Sequence, residues 1–127
     1  MKNNIKHYYV DLDSTLAIYH GSHNAICPKI GKPILKMLKR VKEWIKLGHK
    51  VTIFTARVGH DNIDHNICEG IKITNWLKKH GLPRLDITAT KKPGIDEIWD
   101  DKAVSVQKNE GLAVKIDECG NVFKNYG

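Results

Sequence analysis

The chain is poor in cysteine, and the three it has, Cys27, Cys68 and Cys119, are odd in number, scattered, and form no C-x-x-C pair. That pattern excludes a disulfide framework and a cysteine zinc site and leaves free thiols as the expectation. No apolar run approaches the roughly 18 residues that would suggest a membrane-spanning helix. The opening "MKNNIKHYYVDLD" lacks the apolar block and small-residue cleavage site of a signal peptide, so a cytoplasmic protein without a membrane partner is expected. Repeats, low-complexity segments and linkers are also missing, and 127 residues fit a single domain, 1–127. With 41% hydrophobic and 28% charged residues, the chain has enough apolar surface to fold and is far from a disordered composition. Acidic residues are outnumbered, 14 to 21, and the net charge of +7 would attract phosphates, nucleic acid or another anionic surface. Much of the lysine, however, lies in "KPILKMLKRVKEWIKLGHK", where helical spacing favours an ordinary solvated face.

The segment "KHYYVDLD" reads as a strand of aromatic and β-branched residues, and "KVTIFTAR" as a second one too apolar to be half exposed. Between them Ile34, Leu35, Leu38, Val41, Ile45 and Leu47 follow helical spacing, with Pro33 suited to the first turn and Gly48 to the stop. This β-α-β unit implies parallel strands and a right-handed crossover. The stretch "GIKITNWLKKHGLP" repeats the helical pattern through Ile71, Ile73, Trp76 and Leu77 and is closed by Gly81 and Pro83. "LDIT" and "IDEIWDD" read as short strands, "LAVKID" as a last edge strand, and "ECGNVFKNYG" as a frayed tail. The expected architecture is α/β: a single open, mainly parallel, Rossmann-like sheet, doubly wound with helices on both faces and without a sizeable cap domain.

In such sheets ligands sit beyond the carboxyl ends of the strands. Asp11 and Asp13 end the first strand, Thr55 and Arg57 the second, and Asp100 with Asp101 a later one. Carboxylates converging from two strand ends repel one another unless a cation lies between them, and an oxygen-rich set with room for water favours a hard ion such as Mg²⁺.

The order D-L-D-S-T, F-T-A-R, a lysine in "TKKPG", then W-D-D resembles the haloacid dehalogenase superfamily. Its phosphatase members carry D-x-D-x-T, then Ser or Thr, then Lys, then paired acids. The resemblance covers about residues 7 to 105. It implies that Asp11 is the nucleophile, forming an aspartyl-phosphate that water later hydrolyses. Asp13 is implied as the acid that protonates the leaving oxygen and then the base that activates water, its backbone carbonyl also binding the metal. Thr55 would bond the transferring phosphoryl oxygens, and a lysine would neutralise charge there. Lys91 and Lys92 are adjacent, and the lysine-proline start favours Lys92. Asp100 and Asp101 would complete the Mg²⁺ shell, one directly and the other through water or a lysine. Two departures stand out: the family often has glycine where Ser14 stands and arginine where Lys102 stands.

Each of these residues has an ordinary reading too. "DLDST" alone is also a strand end with a turn, and Arg57 is as well read as a surface cation as a phosphate ligand. "HDNIDHNIC", with His60, Asp61, Asp64, His65 and Cys68, offers a transition-metal alternative to simple polar surface. Trp44, Trp76 and Trp99 fit core packing better than base stacking. The expected function is a small Mg²⁺-dependent phosphomonoesterase with a nearly capless, open site that admits bulky substrates. The basic charge makes a nucleotide or polynucleotide phosphate end attractive. "FTAR" and "DD" also look like motifs in polynucleotide kinase phosphatase domains, which remove terminal 3′-phosphates. The alternative is a non-catalytic basic α/β module that binds nucleic acid or protein; the sequence leaves the oligomeric state open.

Overall fold

The structure, a computed structural model, describes residues 4–21, 28–116 and 122–124. Along the chain run β1 (His7–Val10), α1 (Leu35–Lys46), β2 (Lys50–Phe54), a 3-10 turn (Ala56–Val58), α2 (Ile63–Lys79), β3 (Asp86–Thr88) and β4 (Glu97–Trp99). Three further strands follow, β5 (Ser105–Val106), β6 (Ala113–Ile116) and β7 (Val122–Lys124). The first four strands form one sheet in the order β3-β2-β1-β4, with every neighbouring pair parallel. The fold is therefore α/β, built on a four-stranded parallel sheet with two helices.

Alternation along the strands sorts side chains onto two faces. Tyr8, Val10, Val51 and Ile53 join Met37, Leu38 and Val41 of α1 and Ile73, Trp76 and Leu77 of α2 in one buried cluster. Tyr9, also buried, points the other way and lies outside that cluster. Both helices thus cover the same face, where helices on both faces were expected. The cause is topological: two right-handed crossovers stepping in one direction across a sheet land on one side. The step from β3 to β4, which would have supplied the opposite side, is made by the loop of residues 89–96.

Helix phase follows the periodic apolar residues, with three corrections. Leu38 and Val41 are buried and Ile34 and Ile45 pack against the core, whereas Leu35 and Leu47 are exposed, lying off that stripe. Ile71 is likewise exposed while Ile73 is fully buried. Pro33 precedes α1 and pairs with Ala17 instead of occupying the first turn. Both helices end as the sequence implies, with Gly48 (φ +89°) and Gly81 (φ +82°) just past the last turn in the left-handed conformation that glycine adopts without Cβ strain. Helix α2 starts earlier than expected: Asn62 caps it, its side-chain oxygen accepting from the Asp64 and His65 amides. Lys36, Lys39, Lys42 and Lys46 are exposed on α1, the solvated face anticipated. All three tryptophans pack inward: Tyr8 stacks on Trp44 at 4.0 Å, Trp44 meets Trp99 edge-on at 5.2 Å, and Trp76 is buried.

The C-terminal strands depart further. "LAVKID" supplies β6, which pairs antiparallel with β5 and β7 in a separate three-stranded sheet and is not an edge of the parallel one. Residues 122–124, expected to fray, form β7. Cys68 is an exposed free thiol; Cys27 and Cys119 lie outside the described residues. Among the described residues no helix is long and apolar enough to cross a membrane.

Ile73→Ala is expected to cost about 2–5 kcal/mol and Ile71→Ala no more than about 0.5 kcal/mol, measured by urea unfolding. Equal costs would refute this helix phase.

Candidate active site

Register explains why distant acids meet. Val10 of β1 lies opposite Trp99 of β4, so the next residues, Asp11 and Asp100, leave adjacent parallel strands side by side. The Asp11 amide donates to the Trp99 carbonyl at 2.9 Å and fixes this junction. The chain steps outward from β1 to β2 and β3 and then returns to the other side of β1 as β4, a topological switch point beside which a crevice opens. Ligating oxygens of Asp11, Asp100 and Asp101 lie within 4.8 Å of one another, and among the described residues no other group of three or more acids, histidines or cysteines gathers so closely.

These acids line a cleft of about 470 Å³ together with Asp13, Thr55, Arg57, His60, His65 and Lys102, among others. Burial, the Asp100 charge and a bond with Asp101 push Asp11 up to about 7, against an opposing bond from the Thr15 hydroxyl at 3.3 Å. Three carboxylates this close could hold a metal ion between them. The donors are all hard oxygens, which suits Mg²⁺ and not a soft metal.

Past Asp11 the chain turns sharply. The Leu12 carbonyl accepts from the Thr15, Leu16 and Ala17 amides, and Ser14 takes φ +73°. A glycine would adopt that left-handed conformation freely; serine adopts it with strain. The turn carries Asp13 away from the three-acid group and onto Arg57. The guanidinium holds it with Nε to Oδ2 at 2.7 Å and Nη2 to Oδ1 at 2.9 Å.

Arg57 is neither a surface cation nor a free phosphate ligand. It is only 8% exposed, and all five of its N–H groups find acceptors. Besides Asp13, Nη1 donates to Glu69 Oε1 at 3.0 Å and to the Pro28 carbonyl at 2.6 Å, and Nη2 to the Lys29 carbonyl at 3.4 Å. Burial works against the charge on Arg57, but the Asp13 and Glu69 carboxylates outweigh it and hold the group above its ordinary value. Burial also works against ionised Glu69, and Lys72 and Arg57 overcome it, so Glu69 sits below its usual range. The Pro28–Lys29 carbonyls are braced by the Ile18 amide on the Lys32 carbonyl and by Trp76 Nε1 on the Gly31 carbonyl. Gly31 presses on the Ile18 carbonyl so closely that no Cβ fits.

Thr55 lines the cleft as expected, and its Oγ1 accepts from the Arg57 amide at 3.2 Å, capping the 3-10 turn. Neither Lys91 nor Lys92 lines it. Lys92 flanks a different cleft, with His7, Tyr9 and Thr52 on the face opposite the helices. The reason is chain direction: a parallel sheet obliges residues 89–96 to run from the carboxyl end of β3 back to the amino end of β4, where the Asp96 amide reaches the His7 carbonyl. Lys92 is carried away from the carboxyl ends on that descent. The lysine that does line the acid cleft is Lys102, whose amide donates to Asp100 Oδ1 at 2.7 Å. His60 and His65 approach ring to ring at 4.1 Å on the cleft wall, with Asn66 bonding the His60 backbone in both directions. Among the described residues the transition-metal arrangement that residues 60–68 offer in sequence does not form a group of three ligands, and Cys68 is exposed. Glu69 and Lys72 carried no signal in the sequence beyond ordinary helix polarity. Only the buried arginine gives them a purpose.

No protein-family model, curated protein or solved structure matches this chain.

Two outcomes follow. Asp11 is raised in the fold from an ordinary 3.8 to about 7, so the metal-free protein loses stability as pH climbs from about 4 through 7. Asp11→Asn removes that loss, giving a higher melting temperature than the parent at pH 8 in EDTA and a difference that shrinks toward pH 4. Ser14→Gly relieves the left-handed strain and raises stability by about 1 kcal/mol in chemical denaturation.

Proposed function

We propose that the protein is a Mg²⁺-dependent phosphomonoester hydrolase of the haloacid dehalogenase kind, working through an aspartyl-phosphate at Asp11. The single observation that carries this reading is the convergence of Asp11, Asp100 and Asp101 at the carboxyl ends of adjacent parallel strands. That register joins the first and last of the motifs that resemble the family, while Lys92 of the lysine motif lies at a different cleft. In this reading the sheet is an open, Rossmann-like one with both helices on one face.

Asp11, Asp100, Asp101 and the Asp13 carbonyl would hold Mg²⁺, which neutralises the acid cluster and the phosphoryl group, lowering the repulsion that otherwise bars an anion from Asp11. Asp11 attacks phosphorus and the leaving oxygen takes a proton from Asp13. Asp13 then draws a proton from water, which attacks the phosphorus and frees Asp11. Thr55 donates its hydroxyl to a phosphoryl oxygen, and Lys102 takes the neutralising role first assigned to Lys92. The cleft is open, which suits a bulky substrate, and the net charge of +7 favours a nucleotide or polynucleotide phosphate end.

Purified protein is expected to release phosphate from 4-nitrophenyl phosphate with Mg²⁺ and to stop in EDTA. Asp11→Asn should leave no turnover in a folded protein, and Asp13→Asn should lower kcat about 10²–10⁴-fold. Salt-sensitive oligonucleotide binding without phosphate release, unaffected by Asp11→Asn, would instead identify a binding module.

A further inference from the structure

We propose that Glu69 is a positioning residue: by keeping buried Arg57 charge-compensated, it lets Asp13 leave the guanidinium, so that the Asp13–Arg57 pair acts as a releasable latch on the proton donor. This role rests on the phosphatase reading above.

The two carboxylates on Arg57 are unequal. The Glu69 side chain is 2% exposed and the Asp13 side chain 23%. Glu69 is also held by Lys72 Nζ, 3.0 Å from Oε2, and Lys72 itself reaches toward the Pro28 carbonyl. Asp13 has the cleft on its open side. A buried guanidinium stripped of its only counter-ion is strongly disfavoured. With Glu69 and two backbone carbonyls in place, Arg57 tolerates the departure of Asp13; without Glu69 it does not.

Reaching a substrate draws Asp13 off the arginine. In the resting pair both Asp13 oxygens accept from Arg57, so the edge of the carboxyl that would meet a leaving oxygen is engaged. In the first half-reaction the Asp11 oxygen bonds to phosphorus, the bond to the leaving oxygen breaks, and the Asp13 proton passes to that oxygen. In the second, water loses a proton to Asp13 as its oxygen bonds to phosphorus and the Asp11–phosphorus bond breaks, restoring both groups.

The test compares kcat/KM, which reports the first half-reaction, for 4-nitrophenyl phosphate and glycerol 2-phosphate. The aryl leaving group needs little protonation and the alkoxide needs it fully. Glu69→Gln is expected to lower the glycerol 2-phosphate value about tenfold more than the aryl value, because Asp13 becomes the sole counter-ion of Arg57. Lys72→Gln leaves Glu69 wholly to Arg57 and should shift the ratio the opposite way, by about two- to threefold. An equal loss on both substrates in Glu69→Gln, with folding verified by circular dichroism, would overturn the role, as would a Lys72→Gln ratio that is unchanged or moves the same way. If Glu69→Gln fails to fold, the direction of the Lys72→Gln shift decides alone. No phosphate release by the parent from either substrate would remove the phosphatase reading and this role with it.

Discussion

The in-register parallel pairing of β1 with β4 is the constraint on which the site depends. Backbone hydrogen bonding sets Val10 against Trp99, and everything beyond follows from strand spacing: Asp11 and Asp100 emerge as neighbours with Asp101 beside them. A slip of one residue would send one partner's side chains to the opposite face and dissolve the cluster. The pairing is secured away from the acids, by Tyr8 and Val10 packing into the helix-covered core and by Trp99 against Trp44. The apolar core thereby holds together like charges that would separate on their own, and burial first, then the Asp100 charge, displaces Asp11 upward.

Around this cluster the protein arranges a second charged assembly with the opposite logic. Three carboxylates share one locus and make no ion pair among the described residues, whereas Arg57 is oversupplied, with two carboxylates and two carbonyls on one guanidinium. Asp13 is the residue that belongs to both. It follows Asp11 by two positions, yet the turn at Leu12 and strained Ser14 deliver it to the arginine. A left-handed serine there is backbone strain at the turn beside the acid cluster, tolerated because the flanking strand and the Ile18–Lys32 bonding fix both ends.

Much of the architecture was legible beforehand because local physics states it directly. Alternating strand and helix periodicity gave β1, α1, β2 and the core of α2, and glycine marked both helix ends. The failures have specific causes. Leu35, Leu47 and Ile71 are apolar residues off the buried stripe, and composition cannot tell a stripe residue from its neighbour until a partner face fixes the phase. Lys92 matched a motif in sequence, but the direction of the β3–β4 return took it to the far face. Arg57 reads equally as a surface cation or a phosphate ligand because burial of a cation is invisible without the acids that accompany it, and Glu69 lies twelve residues away on another element.

From the sequence alone came the strands and helices from β1 to β4 in order, the parallel character of their sheet and the set of acids at strand ends, because propensity, periodicity and the crossover rule act over short stretches of chain. Only the tertiary structure decided which acids share a locus, which lysine faces them, that both helices occupy one side, and that Arg57 is buried. Those outcomes depend on register and loop path, where contacts between residues far apart in the chain outweigh any local preference.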